Sequence, residues 1–65
     1  MTREELYAEL AALSGAANHA ARDDARLIRE YLEFAAGFYE NGNDHAARIY
    51  LDQAAKLAEK DAAPA

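Results

Sequence analysis

Two amphipathic stretches on either side of Asn41-Gly42-Asn43-Asp44 constrain this chain more than anything else in it. At 100° per residue, Leu27, Ile28, Tyr31, Leu32, Phe34, Ala35, Phe38 and Tyr39 fall within one arc of about 160°. Arg26, Arg29, Glu30, Glu33 and Glu40 take the opposite side. Beyond the turn, Ala46, Ala47, Tyr50, Leu51, Ala54, Ala55, Leu57 and Ala58 form a second apolar face, with Ala47, Leu51, Ala54 and Ala58 at its centre. Leu27–Ala58 therefore reads as an antiparallel helical hairpin. The small residues of the second helix invite close approach by the Phe34/Phe38 side of the first. An arc that wide has room for two neighbours, as in the central helix of three or an oligomer core.

The rest of the chain supports an all-α fold. Eighteen of the 65 residues are alanine, valine is absent, and the β-branched residues are Thr2, Ile28 and Ile49. Such a mixture favours helices over strands. Thr2-Arg3-Glu4-Glu5 fits a capping box, with Thr2 as N-cap and Glu5 at N3. Leu6, Leu10 and Leu13 follow at helical spacing with Tyr7 at the edge of the stripe, and Ser14-Gly15 is read as the end of this short first helix. The start of the second helix is ambiguous: Asn18 is one candidate cap, Asp23 or Asp24 another. If the helix began near Asn18, Asp24 would fall inside the apolar arc. Either Asp24 or Asp23 is instead the N-cap and the helix starts there, or Asp24 pairs with an arginine of a neighbouring helix or subunit, or it is a buried functional acid. Asp44 or Asn43 caps a third helix running from about His45 to Lys60. The expected layout is one helical domain over 1–60 and a flexible tail over 61–65.

Size then suggests assembly. Only sixteen apolar residues are larger than alanine. Below roughly 70–80 residues a single core seldom supplies more than about 3–5 kcal/mol. There is no cysteine for a disulfide and no spacing suited to a structural zinc. The expected source of the missing stability is another chain, so the three helices are expected to assemble into an oligomeric bundle.

Chemistry is sparse. Ser14 is the sole serine, and His19 and His45 are the only histidines. No glycine-rich phosphate loop or metal-binding motif occurs. His19 and Asp23, four apart, are too few ligands for a metal site. No two of the twelve acidic residues stand out as a catalytic pair. A non-enzymatic protein without metal or cofactor is expected. The net charge of −5 opposes duplex and anionic-membrane binding, and no apolar run approaches the roughly 20 residues of a membrane span. The opening Met-Thr-Arg-Glu-Glu lacks a signal-peptide layout, so a cytoplasmic protein is expected.

Two features remain as candidate binding elements. Arg22, Arg26 and Arg29 form a cationic stripe with Glu30 and Glu33 one turn on. It reads as ordinary i,i+4 pairing on a wet face, as a docking strip for an acidic protein, or as an anion site once subunits assemble. Ile49 lies opposite the apolar face of the third helix, as an incidental exposed residue or a partner contact. Tyr31, Tyr39 and Tyr50 suit core packing, or a small-molecule pocket with an arginine.

Tyr31–Ala54 resembles part of a tetratricopeptide repeat. Tyr31 stands at the family's Trp position, Phe34 at Leu, Ala35 at Gly and Phe38 at Tyr; Gly42 falls at the inter-helix turn, and Ala47, Leu51 and Ala54 follow with small-large-small spacing. The likeness covers about half the chain. It departs at Ala35 and at the closing Pro, where Glu59 stands, and Met1–Arg22 does not repeat the pattern. It implies a protein-binding hairpin capped by the first helix, and no catalysis. The leading expectation is thus a small protein–protein interaction module (an adaptor, inhibitor or regulatory subunit) that binds itself or another protein. A small-ligand or anion-sequestering protein with pockets at subunit interfaces is one alternative. A nucleic-acid-associated regulator or mimic is another.

Overall fold

The computed structural model describes residues 1–62, with side chains through Asp61. It contains three helices: α1 (Arg3–Ala17), α2 (Arg22–Glu40) and α3 (Asp44–Ala62). No strand occurs among the described residues, and none of their helices is long and apolar enough to cross a membrane. The fold is all-α, as composition and periodicity imply.

The α2–α3 hairpin is closed by a Schellman turn. Gly42 N–H donates to Tyr39 O at 2.9 Å and Asn43 N–H to Phe38 O at 2.8 Å, while Gly42 sits at φ +80°. That left-handed conformation is the reason for glycine there: a Cβ finds open space but a strained backbone. Asn43, one of the two predicted caps, starts α3 by accepting Ala46 N–H on its Oδ1 at 3.1 Å. Asp44 is the first helical residue, with the Met1 amine 3.5 Å from its carboxylate. At the start of α1, Thr2 accepts Glu5 N–H at 3.1 Å as expected.

Three boundaries differ from the sequence reading. α1 does not stop at Ser14-Gly15 but runs to Ala17. Ala16 and Ala17 are strong helix formers, and Ala17 is buried in the core, so packing holds the last turn where glycine alone would have ended it. α2 begins at Arg22 behind Ala21, which supplies no side-chain cap; neither Asn18 nor Asp23 or Asp24 fills that role. The link Asn18–Ala21 instead closes with backbone bonds, His19 N–H to Ala16 O and Ala20 N–H to Ala17 O. Asp23 and Asp24 lie in the first turn of α2, where negative charge complements the helix dipole without a capping bond. His19 falls in the link outside α2, so it and Asp23 do not share a helical face. Finally, Asp61 and Ala62 continue α3 rather than beginning a tail; the remainder of the expected tail, 63–65, lies outside the described residues.

One core joins all three helices: Leu6 and Ala17 from α1, Ala25, Ile28, Leu32 and Ala35 from α2, and Leu51 and Ala54 from α3. Ile28 and Leu51 are its largest fully buried side chains. The small-residue track of α3 is buried as predicted, with Ala47 and Ala54 sealed from solvent. Its bulky core partners, however, are Ile28 and Leu32 rather than Phe34 and Phe38, which sit to one side. Ala35, where the tetratricopeptide pattern has glycine, is fully buried, so a small side chain suffices at that point.

Candidate interaction face

Helix α1 covers one side of the hairpin and leaves the other open. On the covered side, Arg48 of α3 reaches Glu9 of α1 at 2.9 Å and Asp52 at 3.1 Å. The hydrogen bond that Arg48 donates to Glu9 raises the guanidinium above its ordinary value; burial opposes it, and the charges of Glu9 and Asp52 with the bond to Asp52 add to the rise. Glu9 Oε2, its other carboxylate oxygen, is buried without a partner. An open groove of about 350 Å³ runs between α1 and α2, lined by Leu10 and Ser14 on one wall and Arg29, Leu32, Glu33 and Ala36 on the other.

On the open side lies an aromatic cluster centred on Tyr50. Its ring stacks on Phe38 at 5.4 Å and 8°, and meets Phe34 at 5.3 Å and Tyr31 at 6.0 Å in tilted arrangements. Offset and tilted rings at such separations attract beyond the area they bury. The spacing of Leu27, Tyr31, Phe34 and Phe38 places them in one row along α2. Phe34 is 53% exposed and Leu27 39%, while Tyr31 and Phe38 between and beyond them are half-buried. A shallow hollow formed by Glu33, Phe34, Gly37, Phe38 and Asn41 ends the row near the turn. Gly37 leaves the floor of that hollow without a side chain.

Ile49 belongs to the margin of this face. On the α3 wheel it is neighbour to Ala46 and Gln53, one row outside Tyr50 and away from Arg48 and α1. It is 45% exposed. The sequence marks it as an apolar residue among polar ones, and the structure leaves it exposed on the flank of α3 away from α1. Tyr7 of α1 is also exposed, but on the helix that covers the opposite side.

The arginine stripe does not form a common site. Arg26 pairs with Glu30 at 3.4 Å within α2, as i,i+4 spacing predicts. Arg29 turns from Glu33 to donate to Asn18 Oδ1 at 3.1 Å, tying the α1–α2 link to α2. Arg22 is exposed at the first position of α2 and makes no ion pair among the described residues. Asp24 accepts from Lys60 Nζ at 3.4 Å, an ion pair between α2 and α3 where a cap or an arginine partner was expected. At the far end, Ala16, His19, Ala58 and Asp61 line a small cleft of about 150 Å³, with Asp61 Oδ2 buried and without a hydrogen-bond partner. No group of three or more metal-ligating side chains gathers among the described residues.

The aromatic cluster was only half legible in advance. The sequence places Tyr31, Phe34 and Phe38 on the apolar face of α2 and Tyr50 on that of α3, and it gives no sign that α1 leaves their side uncovered. The clue available was the width of the α2 arc, which exceeds what one neighbour can bury. Comparisons with family models, curated proteins and solved structures return no match.

Proposed function

We propose that this protein is a non-enzymatic protein–protein interaction module, and that it binds through the open side of the α2–α3 hairpin. The observation that carries the reading is the apolar row Leu27–Tyr31–Phe34–Phe38 beside Tyr50, in which Leu27 and Phe34 are exposed and Tyr31 and Phe38 half-buried. Isolated exposed apolar residues are ordinary, whereas a contiguous patch containing aromatic anchors is characteristic of a contact surface. The tetratricopeptide likeness points the same way, since it implies a hairpin that binds protein and a first helix that acts as a cap. A cytoplasmic setting suits a chain without cysteine.

The arginine stripe lends less to the anion and nucleic-acid readings. Arg26 is paired with a glutamate, Arg29 is engaged by Asn18, and Glu33 shares Arg29's groove. A photo-cross-linking phenylalanine analogue in place of Phe34, compared with the same analogue at exposed Ala12 of α1, tests the proposal in cells that naturally make the chain. The expected result is a protein adduct from position 34 that is absent from position 12 and competed away by excess unlabelled chain. No adduct at 34, or equal adducts at both positions, overturns the reading.

A further inference from the structure

We propose that the occupant of the open face is a second copy of this chain, seated as a two-fold dimer with α2 of each subunit lying along α3 of the other. This rests on the interaction reading above and names its partner. The argument is the distribution of charge along the two borders of the face. The helical register places Asp23 and Glu30 on the free border of α2, on the same side as Leu27 and Phe34. It places Lys56 and Lys60 on the free border of α3, on the side of Ile49. Arg26 flanks the first border and pairs with Glu30, and Lys60 also reaches Asp24, so the α2 border is acidic only in net charge while Lys56 and Lys60 leave the α3 border basic.

The heights also match. Asp24 pairs with Lys60, and Tyr50 touches Tyr31, Phe34 and Phe38, so α3 descends beside α2 as α2 rises. In this register Glu30 is level with the stretch between Gln53 and Lys56, Asp23 is close to the level of Lys60, and Ile49 is level with Phe34. A two-fold axis lying in the face and parallel to the helices keeps each height and exchanges the borders. It sets Glu30 against the partner subunit's Lys56, and Phe34 against the partner subunit's Ile49. Phe34 and Ile49, the two most exposed large apolar side chains of this face, then gain an apolar neighbour. The alternative two-fold, perpendicular to the helices, lays acidic border on acidic border. Opposite charge at the rim selects the first arrangement, and the aromatic centre supplies the attraction. An isologous contact of this kind closes at two subunits.

Light scattering after size exclusion, on the full chain over a concentration series reaching the millimolar range, tests the proposal, with circular dichroism to confirm helix content. The wild-type chain is expected to form a species of twice its 7.1 kDa mass. Phe34→Asp, at an exposed position, is expected to give a helical monomer. Glu30→Lys, which also breaks the pair with Arg26 inside α2, and Lys56→Glu each disturb two symmetry-related contacts and are expected to weaken the dimer roughly two- to thirtyfold, with circular dichroism separating the loss within the helix from the loss of the dimer. The double reversal restores opposite charge and is expected to bind more tightly than either single variant. A monomer at every concentration, a larger open-ended assembly, a dimer that Phe34→Asp leaves intact, or a double reversal no tighter than the singles overturns the proposal. A monomer whose position 34 still cross-links specifically to a different protein overturns the self-pairing alone. A monomer with no such adduct overturns the interaction reading with it.

Discussion

The two sides of the α2–α3 hairpin are built from the same kinds of residue and meet different fates. On the covered side, Leu6 of α1 is 2% exposed, and Arg48 bridges from α3 to α1 through Glu9. On the open side, Phe34 and Leu27 remain in water, although they belong to the same apolar arc as buried Ile28 and Leu32. The difference lies in supply. A single helix of 15 residues is available to cover a two-helix layer that has two sides. Alanine fills the seam between α2 and α3 where the helices pack most closely, and the large aromatic residues are displaced to the flank that α1 does not reach. The lesson is that an apolar arc too wide for its own chain marks a surface as well as a core.

The comparison breaks most readily at Leu6. Leu6→Ala removes a buried anchor of α1 at a cost of about 2–5 kcal/mol, comparable with the whole stability of so small a core. Loss of the cooperative thermal transition by circular dichroism is the expected outcome. A chain that melts normally would show that α1 is dispensable to the hairpin. Gly42→Ala acts on the turn common to both sides. Forcing alanine into the left-handed region costs about 1–2 kcal/mol, to be read as a lower urea midpoint with an unchanged slope. Arg48→Met probes the covered side more gently. A half-exposed ion pair is worth about 0.2–1 kcal/mol, so a fall in stability of that size is expected, shrinking at high salt. Because the Arg48 guanidinium is raised in the folded state, its contribution is complete below the ordinary arginine range and is lost only as pH rises into strong alkali. The same bridge therefore adds no titration of its own near neutrality from the arginine side. Phe34→Ser sharpens the contrast from the open side: stability to urea at low protein concentration should fall by only about 0.5–1 kcal/mol, the worth of its contact with Tyr50, while association is lost. A large stability cost in the monomer would place Phe34 in the core after all.

Much of the fold is legible in the sequence because periodicity reports it directly. The α2 and α3 faces and the Gly42 stop follow from local rules, and of the two candidate caps Asp44 and Asn43 the structure uses Asn43. Local rules were weaker around 14–22. Gly15 reads as a stop, but burial of Ala17 carries the helix two residues further. Asp23 and Asp24 read as caps, yet they serve the first turn of α2 by charge, with Asp24 also paired to Lys60. The candidate face is a tertiary property. Ile49 could be picked out as an anomaly on its own helix, whereas the arrangement of Phe34, Phe38 and Tyr50 around an uncovered side depends on where α1 docks. The arginine stripe shows the converse: a pattern evident in sequence that α2 divides among Glu30, Asn18 and solvent.

A dilution series followed by amide chemical shifts tests the central claim most directly, because it reports each side of the hairpin separately. The account predicts concentration-dependent shifts along Leu27, Tyr31, Phe34 and Phe38 of α2 and Ala46, Ile49, Tyr50 and Gln53 of α3, with α1 unmoved. Shifts centred on Tyr7 and α1, or spectra that do not change with concentration at all, would contradict it.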